Sequence, residues 1–180
     1  MNKLILHPTE TSQWYALINE AEALRNASLS EDLESYLVFL LMRFISNTEL
    51  ASSVLAMDFF HSQRHVGEYR KQLLRELGDK CLLFSGLFPG RAVRKRVEIN
   101  YFVSMGQSAY GSVSIIEEPT TRSLFSALAQ EFVSMMDVLQ ATRYVCDVEN
   151  PLYQMQTCEL LRESDERLPI LKKNPKSIRH

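Results

Sequence analysis

Apolar residues recur at spacings of three and four through most of the chain, which is the period of amphipathic helices rather than of strands. Trp14, Leu17, Ile18, Ala21 and Leu24 mark a first segment, Thr11 to Arg25, that follows Pro8 with Thr9 or Thr11 as its cap. Ser28 or Ser30 opens a second, with Glu31 and Asp32 at its positive end. Leu33, Tyr36, Leu37, Leu40, Leu41 and Phe44 trace its buried stripe, and Val38, Phe39, Met42 and Ile45 widen that stripe almost all round. A third segment runs through LASSVLAMDFF behind Asn47 or Thr48. The fourth aligns Val66, Tyr69, Leu73, Leu77, Cys81, Phe84 and Phe88 and is stopped by Pro89-Gly90.

Ile99 to Ile116 carries no charge, yet it holds Asn100, Gln107, four serines and two glycines, which is too polar for a bilayer. The pattern predicts a buried central helix with Val93, Val97, Tyr101, Met105, Ala109 and Val113 on one line and small residues on its other faces. Glu118-Pro119-Thr120-Thr121 then breaks and caps into a helix whose apolar side is Leu124, Phe125, Leu128, Phe132, Met135, Met136 and Leu139. Asn150-Pro151 starts a last helix through Leu161. Six glycines and six prolines are too few for an all-β chain of this length. The expectation is an all-α fold, a single compact helical domain over residues 1–168 with six to eight helices, in which the second helix, Ile99–Ile116 and the helix after it form the core. A loosely ordered basic tail follows at 169–180.

Charge changes this picture locally. The net charge is −2, but residues 61–98 carry nine basic and four acidic groups, while residues 1–60 carry three basic and eight acidic ones. Acidic first helices folded over the basic middle would neutralise it internally; an anionic ligand or partner is the other reading. Cys81, Cys146 and Cys158 lack metal-ligand spacing and lie in apolar or mixed helical patterns, so they read as reduced core thiols. Leu4 to Leu6 is too short for a signal-peptide core, which points to the cytoplasm.

The run GDKCLLFSGLFPGRAVRKRV, followed by YFVSMGQSAY, resembles a motif of an uncharacterised family of small helical bacterial proteins. The similarity extends from ESYLVFLLMRF to MDVLQATRY. It implies a helical fold and a bacterial cytoplasmic setting. It brings no reaction, ligand or catalytic residue with it.

Three constellations carry candidate chemistry. Asp58, His61, His65 and Glu68 stand at offsets that return to one helix face within about 80 degrees. In an unbroken helix they form a stripe suited to a divalent metal or to acid-base work. With one Asp-x-x-His and a reversed His-x-x-Glu, and Glu131 as a further carboxylate, the match to helical carboxylate-bridged metal proteins is partial. His61 to His65 followed by Gly67 equally describes a solvated turn between helices. Arg91, Arg94, Lys95 and Arg96 oppose the dipole at the start of the charge-free helix. They suit either internal pairing with Glu31, Asp32, Glu34 or Glu98, or a small anionic ligand or acidic protein partner. The cluster is short and the protein has no net positive charge, which argues against nucleic acid. Asn100, Ser104, Gln107 and Ser108, with Tyr101 and Tyr110, would line a cavity or a packed seam.

No GxSxG elbow, P-loop or dinucleotide motif is present. The sequence therefore favours a non-enzymatic helical binding or regulatory protein, with a metal-binding protein or metal-dependent enzyme as the alternative. Homodimerisation is left open, and membrane association is not expected.

Overall fold

The computed structural model describes residues 9–47, 66–90, 98–147 and 156–167. Seven helices are formed there: α1 (Glu10–Arg25), α2 (Glu31–Ser46), α3 (Gly67–Leu87), α4 (Ile99–Ile116), α5 (Pro119–Gln130), α6 (Phe132–Asp147) and α7 (Gln156–Arg167). Among the described residues there is no strand, so the fold is all-α, as the period of the apolar residues predicts. The third predicted segment, the start of the last helix and the tail lie outside these residues.

The helix ends follow local chemistry. Thr9 caps α1 by accepting the Ser12 amide at 3.2 Å. Asn26 ends that helix in the left-handed region (φ 51°), a conformation Asn tolerates, and its N–H returns to the Ala23 and Glu22 carbonyls. Glu31, Asp32 and Glu34 occupy the positive first turn of α2. Pro119 begins α5, where its missing N–H costs no helical bond.

Helix α3 carries the most continuously buried stretch among the described residues. Its second half, Leu77 to Leu87, is buried almost all round, and it packs on both α4 and α6. Lys71 pairs with Glu117, Gly78 meets Tyr110 and Phe84 stacks on Phe102, so α3 and α4 run antiparallel. Small residues allow this closeness: a Cβ on Gly78 would lie 2.5 Å from the Tyr110 ring, on Gly86 2.6 Å from Leu139 Cβ, and on Gly106 2.3 Å from the Phe132 ring. Helix α1 lies on α2 and α6, and α5 lies on α4.

The charge-free helix packs on α3, α5 and α6 but is less buried than its composition suggests. Phe102, Gly106, Ala109, Tyr110 and Val113 are buried, but Tyr101 is exposed and Ile115 is 79% exposed. A line drawn in steps of four turns by about 40 degrees per step at 3.6 residues per turn. Tyr101 therefore faces out while Ala109 and Val113, on the same line, face in. Leu24, Val66 and Tyr69 likewise lie at exposed ends of their stripes.

The predicted helix from Leu124 to Leu139 is two helices that meet at Glu131. Some i to i−4 bonding persists through the junction, with Glu131 N–H on the Ala127 carbonyl and Met135 N–H on the Glu131 carbonyl. Gln107 of α4 inserts there and donates to the Ala129 carbonyl at 3.3 Å, a side-chain intrusion of the kind that bends helices.

Cys146 and Cys158 are joined in a disulfide, which corrects the expectation of three reduced thiols. Cys81 alone is a thiol, buried in the core. The bridge closes a loop across 12 positions, and loop-closure entropy makes it worth about 3 kcal/mol.

Candidate functional site

Of the predicted metal stripe, Asp58, His61 and His65 lie outside the described residues, and Glu68 lies within them. Glu68 sits in the first turn of α3, exposed, with its carboxylate 2.8 Å from the Lys71 ammonium. Val66 is extended and Gly67 has φ +70°, a value that favours glycine, so α3 begins at this point and Glu68 does not continue an earlier helix. Glu131 is exposed and accepts a bond from Ser134 at 2.9 Å. Among the described residues no group of three His, Cys, Asp or Glu side chains gathers where a metal could bind. Arg91, Arg94, Lys95 and Arg96 also fall outside the described residues. Of their proposed internal partners, Glu31, Asp32 and Glu98 are exposed.

Glu34 instead faces another carboxylate. Partial burial raises its pKa, and the charges of Glu22 and Glu31 together with a hydrogen bond to Glu22 raise it further. Glu22 is itself buried and accepts the Leu29 amide at 2.6 Å, which fixes the turn between α1 and α2.

The predicted polar lining of α4 separates into two groups. Asn100, Ser104 and Ser108 are exposed and form its solvent face. Gln107 and Tyr110 point inward, Gln107 to the Ala129 carbonyl and Tyr110 to a buried carboxylate.

That carboxylate, Asp79 of α3, organises the polar site. Its side chain is 5% exposed. Oδ1 accepts the Tyr36 hydroxyl at 2.6 Å and the Tyr110 hydroxyl at 2.7 Å, and Oδ2 is paired with the Arg43 guanidinium. An isolated carboxylate at this depth would cost several kcal/mol, and these three donors are what offset it. Four helices contribute: α2 supplies Tyr36 and Arg43, α3 Asp79 and Arg75, α4 Tyr110, and α5 the ring of Phe125. The Arg75 guanidinium lies 5.8 Å from the Tyr36 ring centre and 5.9 Å from that of Phe125, within cation-π range. Tyr36 and Tyr110 meet edge to face at 6.1 Å.

The electrostatics follow from this enclosure. Burial first, then the negative charge of Asp79, hold both phenols well above the ordinary tyrosine range. They are hydrogen-bond donors at every physiological pH and cannot serve as phenolate bases. Both Asp79 oxygens are engaged by internal donors, which leaves the carboxylate poorly placed to abstract a proton or attack a substrate. The groups that do reach solvent are the guanidiniums: Arg43 is 43% exposed, and Arg75 is exposed as well. One turn before Arg43 on α2, Phe39 is 59% exposed.

Sequence reasoning singled out the run containing Asp79 but not the aspartate. The available signal was its position: Leu77 and Cys81 flank it at two residues, Leu82 and Leu83 follow one turn on, and Arg75 precedes it by one turn. An acid on such a face needs donors, and two hydroxyls had no assigned partner, Tyr36 on the apolar stripe of the second helix and Tyr110 in the polar lining of Ile99–Ile116. Comparison with protein-family models, curated proteins and solved structures finds no match for this chain.

Proposed function

We propose that the protein is a non-enzymatic helical binding or regulatory protein of the bacterial cytoplasm, which presents an arginine-bearing surface to an acidic protein partner or a small anionic ligand. One observation carries the reading: the buried acid of the polar site is engaged internally, while its two arginines reach solvent. A catalytic carboxylate needs an open coordination or proton-transfer position, and the donors around Asp79 leave it none. Arginine beside an exposed aromatic is a composition favoured at protein interfaces, and Phe39 with Arg43 on one face of α2 supplies it. Arg91, Arg94, Lys95 and Arg96 lie with Arg75 in the basic middle third of the sequence.

The test uses two charge variants, Arg75→Gln and the double reversal Arg94→Glu with Arg96→Glu. Partners copurifying with the tagged protein are identified by mass spectrometry, and binding of a polyglutamate peptide and of inorganic phosphate is titrated at low and moderate salt. The expected result is loss of partner or anion binding with an unchanged helical spectrum, and weaker binding at higher salt. Retention of every partner and of both anions by the variants would overturn the reading.

A further inference from the structure

We propose that Cys146 and Cys158 form a redox-modification site, a reversible disulfide that clamps α7 onto the bundle and releases it on reduction. The inference does not depend on the arginine surface. Helix α7 carries Cys158 in its first turn and contacts α1, α2 and α6. Its described side chains bury little apolar surface: Cys158 and Leu161 are buried and Leu160 is partly so. Its seat also encloses polar groups. Thr157 is buried with its hydroxyl unpartnered, and the buried Ser164 hydroxyl turns back onto the Leu161 carbonyl of its own helix. An unpartnered buried hydroxyl opposes docking. Arg162 donates to the Cys146 carbonyl at 2.5 Å, so this hydrogen bond and the covalent link attach α7 at the same residue.

A 12-residue helix does not persist alone in water. Once the bridge is cut, the described apolar contacts that hold α7 are those of Leu161 and Leu160, joined by the Arg162 bond, with the Thr157 hydroxyl buried and unpartnered. The bundle beneath does not depend on it, because α3, α4 and α6 bury their apolar faces against one another. The bridge is thus positioned to control one element rather than the fold. Both cysteines are buried, so attack requires α7 to fray first, and local opening and reduction promote each other.

The step balances with a cellular dithiol as reductant. Its thiolate attacks one sulfur of the pair, the S–S bond breaks, and the other cysteine leaves with the electron pair and takes a proton. The second thiol of the reductant resolves the mixed disulfide, so the pair gains two electrons and two protons while the dithiol becomes a disulfide. In a reducing cytoplasm α7 is released, and under oxidising conditions it is clamped.

The experiment is hydrogen exchange with thiol counting on the native chain, before and after equilibration with dithiothreitol and again after reoxidation with glutathione disulfide. Thiols are counted by alkylation in denaturant. The expected count rises from one to three and returns to one. Amides of α7 exchange about a hundredfold faster on reduction, as the loop-closure entropy of the bridge requires, while those of α3 are unchanged. Cys146→Ser and Cys158→Ser exchange like the reduced protein under both conditions. Unchanged α7 exchange on reduction would overturn the proposal. So would unfolding of α3 together with α7, which would make the bridge a staple of the whole fold, and so would thiols that fail to pair on oxidation.

Discussion

Replacing Asp79 with asparagine keeps the side-chain shape and removes the charge on which the polar site is built. In the parent, two phenols donate to Oδ1 at 2.6 and 2.7 Å, and Arg43 pairs with Oδ2. Hydrogen bonds to a charged acceptor contribute roughly 1.5–3 kcal/mol each and neutral ones about 1, so the two phenolic bonds together lose about 2 kcal/mol. The ion pair adds at most about 1 kcal/mol, because the Arg43 side chain is 43% exposed and water screens it. The asparagine must also turn its NH2 toward either the phenols or the guanidinium, and the guanidinium cannot accept. A destabilisation of about 2–3 kcal/mol follows, which for a chain of this size lowers Tm by roughly 5–10 °C. Urea unfolding followed by circular dichroism and by the fluorescence of Trp14, the single tryptophan, measures it. An Asp79→Asn protein as stable as its parent, or more so, would refute the reasoning. It would show that the carboxylate is held at a cost to the fold, the usual sign of a group kept for function.

The raised phenol pKa values predict behaviour in alkali. Tyr36 and Tyr110 stabilise the fold fully below the unfolded tyrosine value near 10, and that contribution is lost as pH rises from there toward their higher folded values. Above about pH 10 the two together should lower stability by about 2.7 kcal/mol per pH unit, halved in Tyr36→Phe, and absorbance titration should find two phenols that ionise only on unfolding; ordinary ionisation of both in the folded protein would contradict this. The glycines should respond in opposite directions. Gly86→Ala meets Leu139 Cβ at 2.6 Å, which cannot swing away, and should destabilise by about 1–3 kcal/mol, whereas Gly111→Ala meets nothing within 4 Å and should stabilise by up to about 1 kcal/mol in the same urea assay. Glu34 has a raised pKa, so its favourable contribution is complete below the unfolded value and is lost as pH rises through the folded one. Glu34→Gln should therefore match or slightly exceed the parent at pH 7, by a few tenths of a kcal/mol after solvent screening, and lose that advantage near pH 4; a clear loss of stability at pH 7 would count against the Glu22–Glu34 pairing.

Periodicity located most of the helices because burial of an apolar stripe is a local property. Trp14, Leu17, Ile18 and Ala21 are buried as their spacing predicts, as are Phe125, Leu128, Phe132, Met135 and Leu139. What the pattern could not supply was the partner of each stripe. The charge-free α4 packs on α3, α5 and α6, yet the more deeply buried stretch belongs to α3, despite Arg70, Lys71, Arg75 and Lys80 along it, because its second half carries Gly78, Cys81 and Gly86 at close approaches. The break at Glu131 has no proline or glycine to announce it, and the side chain that enters there, Gln107, arrives from another helix. The bridge between Cys146 and Cys158 depends on α7 folding back onto α6, which a spacing of 12 does not encode.

Asp79 also links the two halves of the functional reading. Helix α2 does not pack closely along α3; Tyr36 and Arg43 span the gap and join the helices through one carboxylate. Arg43 is thereby shared between an internal acid and the solvent, so any acidic partner that engages it competes with Asp79 for the same guanidinium. Linkage then requires that the free energy Arg43 gives to Asp79 be subtracted from what it gives to the partner. Removing the internal competitor should therefore move stability and binding in opposite directions. Asp79→Asn, weaker as a fold, should bind polyglutamate up to about fivefold more tightly, the equivalent of the roughly 1 kcal/mol a half-exposed ion pair contributes. Titration well below the melting temperature of the variant isolates the effect from unfolding. Binding that is unchanged or weakened would place the partner elsewhere on the surface and leave Arg43 a structural residue only.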